Sequence, residues 1–192
     1  MAIRTFLALD LDAPIRDRLA AAARGLPQAD SRIRWVAPEN LHVTLKFLGD
    51  VPETDAAEVC NAVVELAGRI EPFDFDIVHL RCVPPGGKVR MIWADVREPS
   101  GQMASMFEQA ESALSELGFP RERRGFHPHV TLGRVKSIRS PRELREAAER
   151  HAQSHFGAER AEEVVVYSSE LTPRGPIYAA MARGRMGRPI PS

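Results

Sequence analysis

One short sequence occurs twice in this chain, and it holds two residue types suited to acid–base and hydrogen-bonding chemistry. The tetrapeptide His42-Val43-Thr44-Leu45 returns letter for letter as His129-Val130-Thr131-Leu132, close to half the chain further on. Each copy lies in a short apolar run that predicts a β-strand. Because side chains two apart on a strand share a face, each copy presents an imidazole and a hydroxyl together. Two such strands would bring four polar groups to one cleft.

Two imidazoles in one cleft suit the cleavage of a phosphodiester. One group takes a proton from the attacking oxygen while another gives a proton to the departing oxygen, and imidazoles, whose ordinary pKa is about 6.5, can fill both roles near neutral pH. Thr44 and Thr131 could donate hydrogen bonds to the non-bridging phosphate oxygens. Lys46 follows Thr44 at strand spacing, so we expect it on the same face, where its charge would help to bind an anion.

The elements that position these residues are predicted to be mixed strands and helices. Apolar residues at helical spacing predict helices after Pro14, Thr54, Ser100 and Ser140, the last running to about Gln153. Strands are predicted between them, and the two motif strands stand at corresponding places in the chain. This pattern indicates internal pseudo-symmetry, with two similar lobes bringing the motif strands together.

Composition indicates one globular unit. The chain has 192 residues, of which 44% are hydrophobic and 27% charged, so we expect a single domain over residues 1–192, with a flexible tail from about 184. No signal-peptide core or membrane-length apolar run occurs, which predicts a cytoplasmic protein with two reduced cysteines.

Charge is balanced over the whole chain, with 26 basic and 26 acidic residues, so any attraction to phosphate must be local. Basic residues do crowd the second motif, with only Glu122 among them to oppose their charge. They are Arg121, Arg123, Arg124, His127, Arg134, Lys136 and Arg139. This positive rim fits an anionic ligand.

Two other functions are compatible with these residues. A nucleotide-binding module could keep the same cleft without catalysis. A zinc hydrolase could use His127 with His129, or His151 with His155, which are four residues apart on a predicted helix, with His155 at its fraying end. The motif strands carry no Asp or Glu at ligand spacing, so we predict no metal and no cofactor.

The segments around the motifs resemble a known family. Residues 35–49 read WVAPENLHVTLKFLG and residues 128–134 read PHVTLGR, while 4–10 and 169–178 add further similarity. With these, the chain resembles the two-histidine phosphoesterases, and among them the RNA 2′,3′-cyclic phosphodiesterases, also called 2′-5′ RNA ligases. The resemblance implies an α+β, bilobal fold, with two pseudo-symmetric lobes of antiparallel sheet, helices packed outside and a cleft between the lobes.

The resemblance also implies a reaction and its residues. A terminal ribose 2′,3′-cyclic phosphate would be hydrolysed without metal to a 2′-phosphate, with reversible 2′-5′ ligation as the related reaction. His42 would be the proton donor and His129 the proton acceptor, with Thr44 and Thr131 on the phosphate. The substrates would be RNA 3′ ends or small cyclic nucleotides, and we expect a monomer with no obligate protein partner.

Further substrate contacts are predicted around the motifs. Arg134 matches a family arginine that reaches phosphate, although plain alternation places it opposite His129 unless Gly133 introduces a bulge. Phe6 is a candidate for stacking on a base, whereas Phe47 has the parity of buried residues. His127 precedes a proline and is predicted at the mouth of the cleft.

Overall fold

The structure, a computed structural model, describes residues 1–27, 31–173 and 175–187. Strands and helices alternate through most of the chain, and a short 3-10 turn at Pro38–Asn40 precedes the first motif strand. The strands are β1 (Ala2–Asp10), β2 (Ser31–Trp35), β3 (His42–Pro52), β4 (Phe73–Val83), β5 (Met91–Arg97), β6 (His129–Ile138), β7 (His155–Ala161), β8 (Glu163–Thr172) and β9 (Gly175–Arg185). The helices are α1 (Ala13–Arg24), α2 (Glu53–Gly68), α3 (Gln102–Glu116) and α4 (Pro141–Glu149).

The strands form one antiparallel nine-stranded sheet in which the two motif strands are central. The order is β7-β4-β5-β6-β3-β1-β8-β9, and β2 pairs with β6 beside β3. The sheet therefore has two halves. The half led by β3 consists of β3, β1, β8 and β9, and the half led by β6 consists of β6, β2, β5, β4 and β7. This arrangement confirms the predicted α+β fold with two similar lobes of antiparallel sheet.

The helices pack against the sheet through apolar residues at helical spacing. In α1 these are Ile15 and Leu19, and in α3 they include Met103 and Leu114, all buried in one continuous core. Pro141 begins α4, and the Ser140 side chain accepts a hydrogen bond from the Glu143 amide. Since the core lies under the helices, the other face of the central strands is left for polar side chains.

The chain order shows an exchange of strands between two repeats. Apart from β2 and β7, which have no counterparts, the series β1-α1-β3-α2-β4 corresponds to β5-α3-β6-α4-β8, with the two motif strands at matching places. In the sheet, β4 of the first series pairs with β5 of the second, and β8 of the second pairs with β1 of the first. Each repeat thus gives its last strand to the other half.

Two expected boundaries are wrong. The helix expected to reach about Gln153 ends at Glu149, and an unexpected strand, β7, follows from His155. Gly184 and Arg185, expected in a flexible tail, instead lie in β9, and a Cβ on Gly184 would be 2.7 Å from Ala67 Cβ of α2. Residues 188–192 lie outside the described residues. In the described ranges we find no helix with the length and apolar character needed to cross a membrane.

Candidate active site

The site is built on the one residue pair that joins the two motif strands. Val43 of β3 pairs with Val130 of β6, and both valines are fully buried. Because the strands are antiparallel, the neighbours of this pair lie crosswise, with His42 toward Thr131 and Thr44 toward His129. The four side chains leave the face opposite the buried valines. The structure therefore brings all four predicted catalytic residues together.

Both imidazoles are held in the same way by a backbone carbonyl two residues earlier. His42 Nδ1 lies 2.8 Å from the Asn40 oxygen, and His129 Nδ1 lies 2.8 Å from the His127 oxygen. A carbonyl oxygen can only accept, so each Nδ1 carries hydrogen and each Nε2 is the atom that exchanges a proton. His42 Nε2 lies 3.0 Å from Thr44 Oγ1. The hydroxyl is thus next to the nitrogen that would act on a substrate.

The surroundings lower the pKa of both imidazoles, but the nearby charges differ. Burial lowers the pKa of His42, while the hydrogen bond to Asn40 and the negative charge of Asp10 act in the opposite direction. Burial also lowers the pKa of His129, the hydrogen bond to His127 and the negative charge of Asp95 raise it, and the positive charge of Arg134 lowers it. His129 itself lowers the pKa of His42, as expected for two cationic groups sharing one cleft.

An aromatic ring supports each imidazole from the neighbouring strand. Phe6 of β1 stacks on His42 with 4.9 Å between ring centroids, and the Trp93 ring of β5 lies 4.0 Å from that of His129. Phe6 is only 2% exposed, so its prediction as a base-stacking residue is wrong: it positions His42 instead. Sequence reasoning missed Trp93 because it lies in a strand that reads as apolar on both faces.

A bulge in β3 overturns the expectation for Lys46. The pairing with β1 skips Leu45, so side chains beyond it change faces. Lys46 is 5% exposed and its Nζ lies 2.5 Å from Glu111 Oε1 of α3, far from the polar cleft. Phe47, expected to be buried, is 64% exposed. Lys46 is therefore structural, and it cannot contact the substrate from this position.

A matching bulge in β6 places Arg134 on the side of His129. The pairing with β5 skips Leu132, and Arg134 becomes exposed on the catalytic face. Gly133 makes this possible, since a Cβ there would lie 2.9 Å from Trp35 Cε3. His127 is exposed beside His129, and its backbone oxygen holds the imidazole. The contacts of both side chains with substrate stay predictions.

A small polar cavity of about 100 Å³ adjoins His42. Its walls include Asp10, which accepts hydrogen bonds from the Tyr167 hydroxyl at 2.7 Å and from Arg183 Nη1 at 3.1 Å. Tyr178 lies edge-on to His42, with 5.6 Å between the ring centroids. These residues come from distant strands, so sequence spacing gave no signal for them.

The remaining histidines lie elsewhere. His155 Nε2 pairs with Asp76 Oδ1 at 2.8 Å in β4, and His151 Nδ1 lies 3.1 Å from the Ser154 hydroxyl. The two do not share a helix, because α4 ends before them. Within the described residues, no three His, Cys, Asp or Glu side chains form a group that could hold a metal ion.

Comparisons with known proteins agree with this geometry. The family model described as "LigT like Phosphoesterase" matches residues 9–93 and again 95–178. An RNA 2′,3′-cyclic phosphodiesterase of Methanothermobacter thermautotrophicus is 36% identical over 94% of this chain and 97% of its own. The crystal structure of TT0787 of Thermus thermophilus has a TM-score of 0.82 and 26% identity, covering 96% of this chain and 98% of that one. The crystal structure of Escherichia coli LigT with 3′-AMP has a TM-score of 0.74 and 26% identity, covering 98% of this chain and 100% of that one. The chain belongs to the LigT-like phosphoesterase family.

Proposed function

We propose that this protein hydrolyses the terminal 2′,3′-cyclic phosphate of RNA to a 2′-phosphate. The observation that carries the proposal is the crossed arrangement of His42, Thr44, His129 and Thr131 around one buried pair of valines. The proposal is supported by two imidazoles that face one cleft and by the Thr44 hydroxyl, which lies 3.0 Å from His42 Nε2. The relative from M. thermautotrophicus carries the name of this activity, and E. coli LigT has been crystallised with a nucleotide.

The proposed reaction is an in-line displacement at phosphorus. His129, neutral before the reaction, takes a proton from water as its oxygen attacks, and the bond from phosphorus to the 3′ oxygen breaks. His42, protonated before the reaction, gives its proton to that departing oxygen. The products are a 2′-phosphate and a free 3′-hydroxyl, with each proton accounted for.

The remaining groups stabilise the charge that develops on phosphate. Thr44 and Thr131 donate hydrogen bonds to the non-bridging oxygens, and Arg134 adds positive charge from the His129 side. Asp10 favours a protonated His42, and Arg134 favours a neutral His129, where Asp95 acts in the opposite direction to Arg134. A 5′-hydroxyl in place of water would give a 2′-5′ linkage by the same steps.

The decisive experiment supplies an oligoribonucleotide with a 2′,3′-cyclic phosphate end, in the presence of a chelator, and identifies the product phosphate by its position. We expect a 2′-phosphate. His42→Ala and His129→Ala should each lower kcat by about 10²- to 10⁴-fold. His155→Ala, an exposed histidine on β7, is the matched control and should retain wild-type activity.

Other results would identify other functions. Full activity in either motif variant would contradict the acid–base roles. Binding of a 2′-phosphorylated nucleotide without turnover would indicate a nucleotide-binding module. Loss of activity with chelator and its recovery with zinc would indicate a metal hydrolase. Sedimentation of the purified protein tests the proposed monomer, and fractionation of its source cells tests the proposed cytoplasmic location.

A further inference from the structure

Two arginines face each other across neighbouring strands next to the site. Arg34 of β2 pairs directly with Arg134 of β6, and both are exposed. Their strand neighbours Ile33, Trp35 and Val135 are half-buried or buried, so the two guanidinium groups leave from the same outer face. Arg34 therefore continues the positive charge of Arg134 away from His129.

This pair is unfavourable unless something compensates for its charge. Like charges directly opposite in an antiparallel pair are destabilising. Among the described residues, neither guanidinium has a carboxylate partner, and the hydrogen bond found for Arg134 is with Met91 Sδ at 3.7 Å. Arg32, two residues before Arg34 on the same face, extends the charge to the position opposite Ser137. An anion lying along these strands would relieve the repulsion.

The other end of the cleft has the opposite character. The cavity beside His42 is lined by Asp10 and Glu39; Arg183 offsets the charge of Asp10, and Glu39 has no cationic partner among the described residues. A polyanion bound at the cleft would therefore be directed toward the arginines. A mononucleotide has no preceding phosphodiester with which to contact these arginines.

We propose that Arg34 and Arg32 form a basic path that binds the phosphodiesters preceding the terminal nucleotide of an RNA chain. The path begins at Arg134 and follows β2 outward. This inference rests on the proposed function for the position of the RNA end. It adds a preference for oligonucleotides over mononucleotide 2′,3′-cyclic phosphates, through phosphate contacts that do not read base sequence.

Equilibrium binding tests the path without requiring turnover. Calorimetric titration would compare adenosine 2′-phosphate with a short oligoadenylate ending in a 2′-phosphate, at several salt concentrations. We expect the wild-type protein to bind the oligonucleotide more tightly. Arg34→Met should weaken oligonucleotide binding about tenfold at low salt and change nucleotide binding less than about twofold. It should also reduce the slope of log affinity against log salt by about 0.7, for one lost contact to a single strand.

Arg150→Met is the matched control, since Arg150 is an exposed arginine at the end of α4. It should bind both ligands as the wild type does. Equal weakening of both ligands by Arg34→Met, no weakening of either, or no preference in the wild type would overturn the proposal.

Kinetics separate this inference from the proposed function. Suppose that cyclic ends are hydrolysed but Arg34→Met leaves kcat/KM unchanged for both the mononucleotide and the oligonucleotide 2′,3′-cyclic phosphates. The proposed basic path would then be wrong, and the proposed function would stand. If the oligonucleotide binds through Arg34 but no cyclic end is opened, the path stands and the function is wrong.

Discussion

The two imidazoles have the same Nδ1 hydrogen bond but different neighbouring charges. Each Nδ1 donates to the backbone oxygen two residues earlier, so the backbone alone does not decide which histidine is the acid. Asp10 lies near His42 and Arg134 lies near His129, and their opposite charges act on the two pKa values in opposite directions. In the proposed mechanism these charges make His42 the donor and His129 the acceptor.

The pH profile of kcat/KM should therefore respond to Asp10. Activity requires a neutral His129 and a protonated His42, so it rises as pH passes the pKa of His129 and falls as pH passes that of His42. Because burial lowers both values, the optimum should lie below about 6.5. Asp10→Asn removes the negative charge that raises the pKa of His42. The alkaline limb should then move to lower pH.

The exposed Asp74, paired with Arg160 on the far edge of the sheet, supplies the control for this experiment. Asp74→Asn should leave both limbs in place. If neither limb moved in Asp10→Asn, Asp10 would not influence the pKa of His42 in the free enzyme.

The sequence could predict the motif strands, and Gly133 indicated where β6 could bulge, but nothing in the sequence indicated the bulge in β3. Alternation correctly placed His42 with Thr44, and His129 with Thr131, because each pair lies before its bulge. Beyond the bulges, alternation fails, which is why Lys46 was expected in the cleft. A bulge depends on pairing with the neighbouring strand and on space such as that over Gly133, and neither is written in the strand's own pattern.

The buried lysine has a structural task between elements. Lys46 Nζ of β3 contacts Glu111 Oε1 of α3 at 2.5 Å and the Pro120 oxygen at 2.9 Å. Glu111 Oε2 in turn accepts from the Glu122 amide at 2.7 Å. The pair therefore ties the segment that leads from α3 to β6, and so to His129, against the core.

Breaking this pair from one side should strongly destabilise the fold. Lys46→Met leaves the Glu111 carboxylate buried without its cation, which should lower the free energy of unfolding by about 3–5 kcal/mol. Replacing both, with Lys46→Met and Glu111→Leu, removes both charges and should recover most of the loss. Urea unfolding followed by far-UV circular dichroism measures each variant.

The exposed pair of Arg69 with Glu65 gives the comparison. Arg69→Met should leave the urea midpoint almost unchanged, because exposed ion pairs contribute little. If Lys46→Met behaved like Arg69→Met, the buried pair would have no structural task.

At the scale of the whole molecule, sequence repeats and structural halves do not coincide. The family model matches 9–93 and 95–178, and the repeated tetrapeptide predicts the same division. In the sheet, however, β4 of the first repeat pairs with β5 of the second, and β8 of the second pairs with β1 of the first. The repeat was visible in the sequence because both copies need the same residues at the cleft. The exchange of strands was not visible in the sequence, because the order of strands in a sheet produces no pattern in the sequence of any one strand.

This exchange predicts that the protein unfolds as one unit. Each half of the sheet contains strands from both repeats. Unfolding of one half would therefore remove strands that belong to both repeats, so the two halves should not unfold independently. Trp35 and Trp93 lie in the half led by β6, so their fluorescence reports that half, whereas far-UV circular dichroism reports the whole chain. The two signals should give one coincident urea transition, as expected for a two-state domain. Fluorescence that changed at a different urea concentration from the circular dichroism would show that the halves unfold separately, and the division between repeats would then also be a division in stability.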